Sequence, residues 1–152
     1  MTQSITDRPL QQVQRVGSYA FITAENHVLL SLLNRGPNRG KWTLVGGAID
    51  FGESPNEALI REIREEAGIE IDVEPELLDV FSHQHAFTLD DGSVKQMHFI
   101  GVIHTVKLSK MLVCKPDGDG LSSDGTKWFD LDQLNFAQLN PSVIKVLDRL
   151  KK

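Results

Sequence analysis

Cysteine occurs once in these 152 residues, at Cys114, so no intrachain disulfide can brace the fold. That usage fits a reducing compartment. No apolar run approaches the 18 or so residues that a membrane-spanning helix needs, and the polar opening MTQSITDRPLQQ lacks the apolar stretch of a signal peptide. A cytoplasmic chain with no membrane partner is therefore expected. Positive charge is also in short supply. Sixteen Lys and Arg against 21 Asp and Glu leave a net charge of −5, which argues against a groove for polymeric nucleic acid. A nucleotide remains possible as a ligand, because a divalent cation bridges anionic protein to anionic phosphate. Internal repeats, low-complexity tracts and linkers are absent too. One domain is expected over 1–152, with 1–12 a loose leader or an added strand. At 40% hydrophobic and 24% charged, the composition is that of an ordinary soluble domain.

What is present centres on Gly47 to Ile69, GAIDFGESPNEALIREIREEAGI. Ser54 followed by Glu57 is a capping box, and Pro55 falls at the first helical position, where its missing N–H costs nothing. Gly68 stands where a helix C-cap turns left-handed. The spacing predicts a loop over 47–53 and a helix over 55–67. On that helix Glu62, Glu65 and Glu66 fall within roughly one third of the circumference, beside an apolar stripe of Leu59, Ile60, Ile63 and Ala67. Like charges at i,i+4 repel, and the C-terminal half of a helix disfavours anions. A solvated acidic face is the plain reading of such a run; a cation is the sharper one, since hard divalent ions take oxygen ligands and share a carboxylate or two with phosphates.

The same stretch resembles the signature of the Nudix hydrolase family, G-x5-E-x7-R-E-U-x-E-E-x-G-U with U aliphatic. Gly47, Glu53, Arg61, Glu62, Ile63, Glu65, Glu66, Gly68 and Ile69 fill all nine constrained positions. Average residue frequencies put a chance match at ~10⁻¹⁰ per start position. The resemblance implies hydrolysis of a diphosphate linkage in a nucleoside diphosphate joined to another group, with Mg²⁺ or alternatively Mn²⁺ as cofactor. By position in the motif, Glu62 and Glu66 look like the principal metal ligands, and Glu65 like a further ligand or the base. Glu53 resembles the loop glutamate that supports a second metal or its waters, Arg61 a partner that orients a carboxylate, and the Gly46 carbonyl a recurrent ligand. Members also recruit an acid from a loop before a Trp-Phe pair; here that acid is Asp124, with Asp117 and Asp119 as alternatives.

Along the rest of the chain, 16–23 and 28–33 read as a hairpin about Glu25-Asn26. NRGPNRGK (34–41) is a turn-rich loop in which Arg35, Arg39 and Lys41 suit either plain exposure or a phosphate clamp. Trp42 to Val45 reads as a short strand running into Gly46-Gly47. Aliphatic and acidic residues alternate over 69–73, and 77–81 resumes a strand pattern. A turn at Asp91-Gly92 leads to a return strand over 95–106. Residues 115–125 are loop by composition, Lys127 to Phe129 a short strand, 130–134 a helical turn, and Pro141 to Leu150 a second amphipathic helix. This order makes an α+β domain with a mixed sheet between the two helices, and the resemblance implies the same Nudix α/β/α sandwich.

Five histidines show no Cys/His spacing of a zinc site, but His83 and His85 follow the motif helix, where family members vary their specificity contacts. Both are candidate substrate contacts, as are Arg35 and Arg39. Marks of particular subfamilies are missing: Gln84 and His85 stand where ADP-ribose hydrolases carry proline, and neither the SQPWPFPxS array nor the diadenosine-polyphosphate tyrosine occurs. A non-hydrolytic nucleotide-sensing module is the alternative reading, and the intact set of carboxylates argues against it. Isoprenoid diphosphate isomerisation would need a nucleophilic cysteine in a setting Cys114 does not share. A homodimer through the leader and the 83–98 hairpin is compatible with the sequence.

Overall fold

Strand pairing starts from one tight turn. Glu25 and Asn26 both take positive φ, 48° and 61°, the conformation whose twist suits a two-residue hairpin. In a computed structural model, which describes residues 10–118 and 123–151, this turn joins β1 (Leu10–Ala24) to β2 (His27–Leu33). The other elements are β3 (Trp42–Thr43), β4 (Val45–Ala48), α1 (Pro55–Ala67), β5 (Glu76–Thr88), β6 (Val94–Lys107), β7 (Ser123–Asp130) and α2 (Pro141–Leu150). Two short 3₁₀ turns, Leu131–Gln133 and Phe136–Gln138, link β7 to α2.

All seven strands join one sheet. Along one edge, β1 runs parallel to β6 from Leu10↔Val94 to Thr23↔Lys107. Along its other edge it pairs antiparallel first with β4, from Gly17↔Ala48 to Ala20↔Val45, and then with β2, from Ile22↔Leu29 to Ala24↔His27. The sheet therefore forks at Phe21. β5 continues the sheet beyond β6, and β7 continues it beyond β2.

Side-chain alternation sorts the core onto two faces. Ala20, Ile22, Leu29 and Val45 pack with Leu59, Ile63 and Ala67 of α1 and with Ile69 and Val106. Phe21, Val28, Leu30 and Leu44 pack with Val143 and Val146 of α2 and with Ile103 and Leu139. The helices thus cover opposite faces, as the α+β reading expects. Among the described residues no helix is long and apolar enough to cross a membrane.

Several boundaries differ from expectation. β1 reaches back to Leu10 because parallel pairing with β6 supplies partners to the polar run 11–15. Trp42 to Val45 divides into β3 and β4, which serve β2 and β1 respectively. No strand forms over 69–73; Ile69 instead gives its side chain to the α1 core. Ser123 to Gly125, read as loop, open β7, where Ser123 pairs with Leu33 and its Oγ stands 2.6 Å from that of Ser31.

Candidate active site

The glutamates take their positions from how α1 begins. Ser54 accepts from the Glu57 N–H at 3.1 Å, and Glu57 returns the bond to the Ser54 N–H at 3.4 Å. At the far end Gly68, at φ 68°, donates its N–H to Arg64 O. These caps satisfy backbone groups that a helix leaves unpaired at its termini. A second tie comes from β1: buried Ser18 donates its Oγ–H to the carbonyl of Pro55 at 2.8 Å.

One guanidinium then gathers the motif. Arg61 holds Glu53 in a fork, Nε to Oε2 at 2.8 Å and Nη2 to Oε1 at 2.9 Å. Its Nη1 donates to Glu62 at 3.0 Å and to Glu65 at 3.2 Å, and its Nη2 to the Ala48 carbonyl at 3.0 Å. The Glu53 carboxylate also accepts the Asp50 N–H at 2.8 Å. Hydrogen bonding from Arg61, then from the Asp50 backbone, lowers the Glu53 pKa from 4.5 to about 2. The same contacts raise the Arg61 pKa still further.

The remaining glutamate faces β4. Glu66 is buried, and its Oε2 accepts the Gly46 N–H at 3.4 Å. Glycine at 47 is required by contact: a Cβ there would stand 2.5 Å from the Glu62 carboxyl carbon. Glycine at 46 is required by conformation as well, with φ 152° and a Cβ that would meet Ser18 O at 2.1 Å. The motif glycine leaves the Glu62 carboxylate its space, with hard oxygen donors arrayed around it. Among the described residues no three His, Cys, Asp or Glu side chains enclose an ion position by themselves. A Mg²⁺ ion takes one or two carboxylates and fills its remaining positions with water and phosphate, so this donor set fits such an ion.

The other candidates from the sequence stand on other elements. Asp124 is exposed on β7, where its Oδ1 accepts from Asn34 Nδ2 at 3.0 Å. Asp117 is exposed, and Asp119 lies outside the described residues. Arg35 and Arg39 are exposed in the 34–41 loop. His83 and His85 stand on β5, the third strand from β4 across β1 and β6. They belong to the α2 face and form a ladder of near-parallel rings. Phe99 lies 5.2 Å from His83 and 5.6 Å from His85, and Phe87 lies 6.1 Å from His85. Burial lowers the His83 pKa, aided by His85, Lys145 and His98. His85 Nδ1 is buried without a hydrogen-bond partner.

Sequence reasoning missed Tyr19, the cross-strand partner of Gly46. Its pKa is raised by burial and then by the nearby Glu66 and Glu62. Nothing in the strand pattern of β1 singles it out.

A split mixed sheet between two helices, with glutamates clustered on the first helix against a glycine strand, defines a Nudix-type pyrophosphohydrolase. Residues 13–150 match the NUDIX domain model, and the chain belongs to that family. It is 28% identical over 121 residues to an oxidized purine nucleoside triphosphate hydrolase from Danio rerio, covering 78% of this chain and 68% of that protein. Among solved structures it is similar to a MutT NUDIX hydrolase from Burkholderia pseudomallei, at TM-score 0.67 and 29% identity, over 90% of this chain and 98% of that one. The fold also matches the NUDIX domain of Shewanella oneidensis NrtR complexed with ADP ribose, at TM-score 0.65 and 20% identity, over 91% and 87% of the two chains.

Proposed function

We infer that this protein hydrolyses the diphosphate linkage of a nucleoside diphosphate derivative with the help of Mg²⁺ or Mn²⁺. The observation that carries the reading is the convergence of Glu53, Glu62 and Glu65 on Arg61, with Glu66 held one helical turn from Glu62 at the Gly46 N–H. Glu62, Glu66 and the Gly46 carbonyl would hold the ion, with Glu65 as a further ligand or the base. A bound divalent ion neutralises phosphate oxygens and lowers the pKa of water.

Roles for the side chains follow from how each is held. Arg61 orients carboxylates, since all five of its donor contacts to side chains and backbone lie within the motif. Glu53 is a poor proton acceptor, because Arg61 drops its pKa to about 2; its work is to fix Arg61 and the 49–53 loop. Glu65 is about half exposed and held by the longest of the four Arg61–glutamate contacts, 3.2 Å. That leaves it the glutamate best able to take the proton of attacking water. Asp124, tied to Asn34 at the head of the 34–41 loop, is the second candidate for that role. Arg35 and Arg39, exposed in the 34–41 loop, supply cations for the substrate phosphates.

The names of similar proteins include hydrolases of oxidized purine triphosphates and of ADP-ribose, and both substrates contain a diphosphate linkage. The test is a panel of nucleoside triphosphates, ADP-ribose and nucleotide sugars with Mg²⁺ or Mn²⁺, with products read as inorganic phosphate after added pyrophosphatase or phosphatase. Turnover is expected on at least one member and absent in Glu66→Gln, with the fold retained by circular dichroism. Tight nucleotide binding without turnover on any member would instead identify a sensor.

A further inference from the structure

β1 grips the site from both sides of the sheet. Ser18 reaches up to the first turn of α1 through its bond to the Pro55 carbonyl. Tyr19 points to the opposite face, where glycines on three strands bracket its ring. A Cβ on Gly17 of β1 would lie 2.6 Å from Tyr19 Cε2, one on Gly46 of β4 would lie 2.9 Å from Cδ1, and one on Gly101 of β6 would lie 3.5 Å from Cδ2. The ring therefore lies too close to Gly17 and Gly46 for a Cβ at either, while at Gly101 a Cβ would make ordinary contact with it and with Ile103 Cδ1 at 3.4 Å.

The backbone under that ring is the part that meets the glutamates. Gly46, the register partner of Tyr19, donates to Glu66, and Gly47 abuts the carboxylate of Glu62. Gly46 is pinned between the Ser18 carbonyl and the Tyr19 ring, with the left-sided φ of 152° that only glycine adopts readily. Tyrosine occurs nowhere else in the chain.

We propose that Tyr19 is a positioning residue of the carboxylate site: its ring, seated in the three-glycine bracket, sets the Gly46–Gly47 backbone against α1 and thereby the placement of Glu62 and Glu66 for ion binding. The inference rests on the reading of those glutamates as ion ligands. The ring face does this work, so the hydroxyl is dispensable for it.

Mn²⁺ binding without substrate, followed by the electron paramagnetic resonance signal of the free ion, tests both levels separately. Tyr19→Phe is expected to bind within about twofold of wild type. Tyr19→Leu is expected to weaken binding by about tenfold or more, the range typical of residues that orient ligands, while still melting cooperatively. Gly17→Ala pushes the ring without deleting it and is expected to weaken binding likewise; it carries the test should Tyr19→Leu fail to fold. Glu66→Gln checks the underlying reading and is expected to lose most of the affinity. Wild-type binding by Tyr19→Leu and Gly17→Ala, with loss in Glu66→Gln, overturns the role of Tyr19 and leaves the ligand reading intact. Equal loss in Tyr19→Phe and Tyr19→Leu overturns it too, by moving the role to the hydroxyl. Wild-type binding by Glu66→Gln overturns the ligand reading and the inference with it.

Discussion

Arg61 shows how far one residue's role can be read in advance. The motif spacing marks it as a partner for a carboxylate; only the fold reveals that it serves Glu53, Glu62 and Glu65 together. Its fork on Glu53 is the strongest of these contacts, because a planar guanidinium matches both carboxylate oxygens. The consequence for acid stability has a definite sign. The folded pKa of Glu53, about 2, lies below its ordinary 4.5, so the pair stabilises the fold fully above that ordinary value and loses its effect as pH falls through about 2. Glu53→Gln should therefore lower the thermal midpoint at pH 5 and above. The gap to wild type should close between pH 4.5 and 2, as scanning calorimetry would record. A gap of constant size down to pH 2 would mean that the ion pair contributes nothing. Tyr19 was beyond sequence reasoning at this scale. An aromatic in a strand, two residues from Phe21, looks like core, and its relation to Gly46 arises only from the β1–β4 register.

At the level of elements, legibility tracked the range of the interactions involved. α1 forms over Pro55–Ala67, as Ser54, Pro55 and Gly68 announce, because caps act within a single turn. The Glu25-Asn26 hairpin and α2 were equally legible, for the same local reason. The Gln-rich start of β1 was not, since its strand state depends on β6, and Gln12 donates across to Gln96, which donates in turn to Gln84. The opening of β7 was hidden by its turn-like composition, Ser-Asp-Gly, and is revealed by its pairing with β2. Because the Ser54 cap is exposed and local, Ser54→Ala should cost about 1 kcal/mol in urea unfolding. Turnover of the remaining folded enzyme should change little, and a much larger fall would mean that the cap also aligns the glutamates.

For the whole molecule, the sheet separates two apolar layers that share no buried residue. Leu59→Ala under α1 should destabilise by about 2–5 kcal/mol through the cavity it leaves. Val143→Ala under α2 should act independently. The double variant should match the sum within about 0.5 kcal/mol, as distant sites do, and a larger coupling in chemical denaturation would show that the sheet transmits strain between its faces. The long parallel pairing of β1 with β6 also governs how the molecule can form. Every pair from Leu10↔Val94 to Thr23↔Lys107 joins residues far apart in the chain, so closing the loop between them precedes any gain from the ladder. Non-local pairing of this kind belongs to the slow end of folding, milliseconds to seconds. During synthesis the β1–β2 hairpin is complete long before β6 exists, and until then one whole edge of β1 is open to other chains.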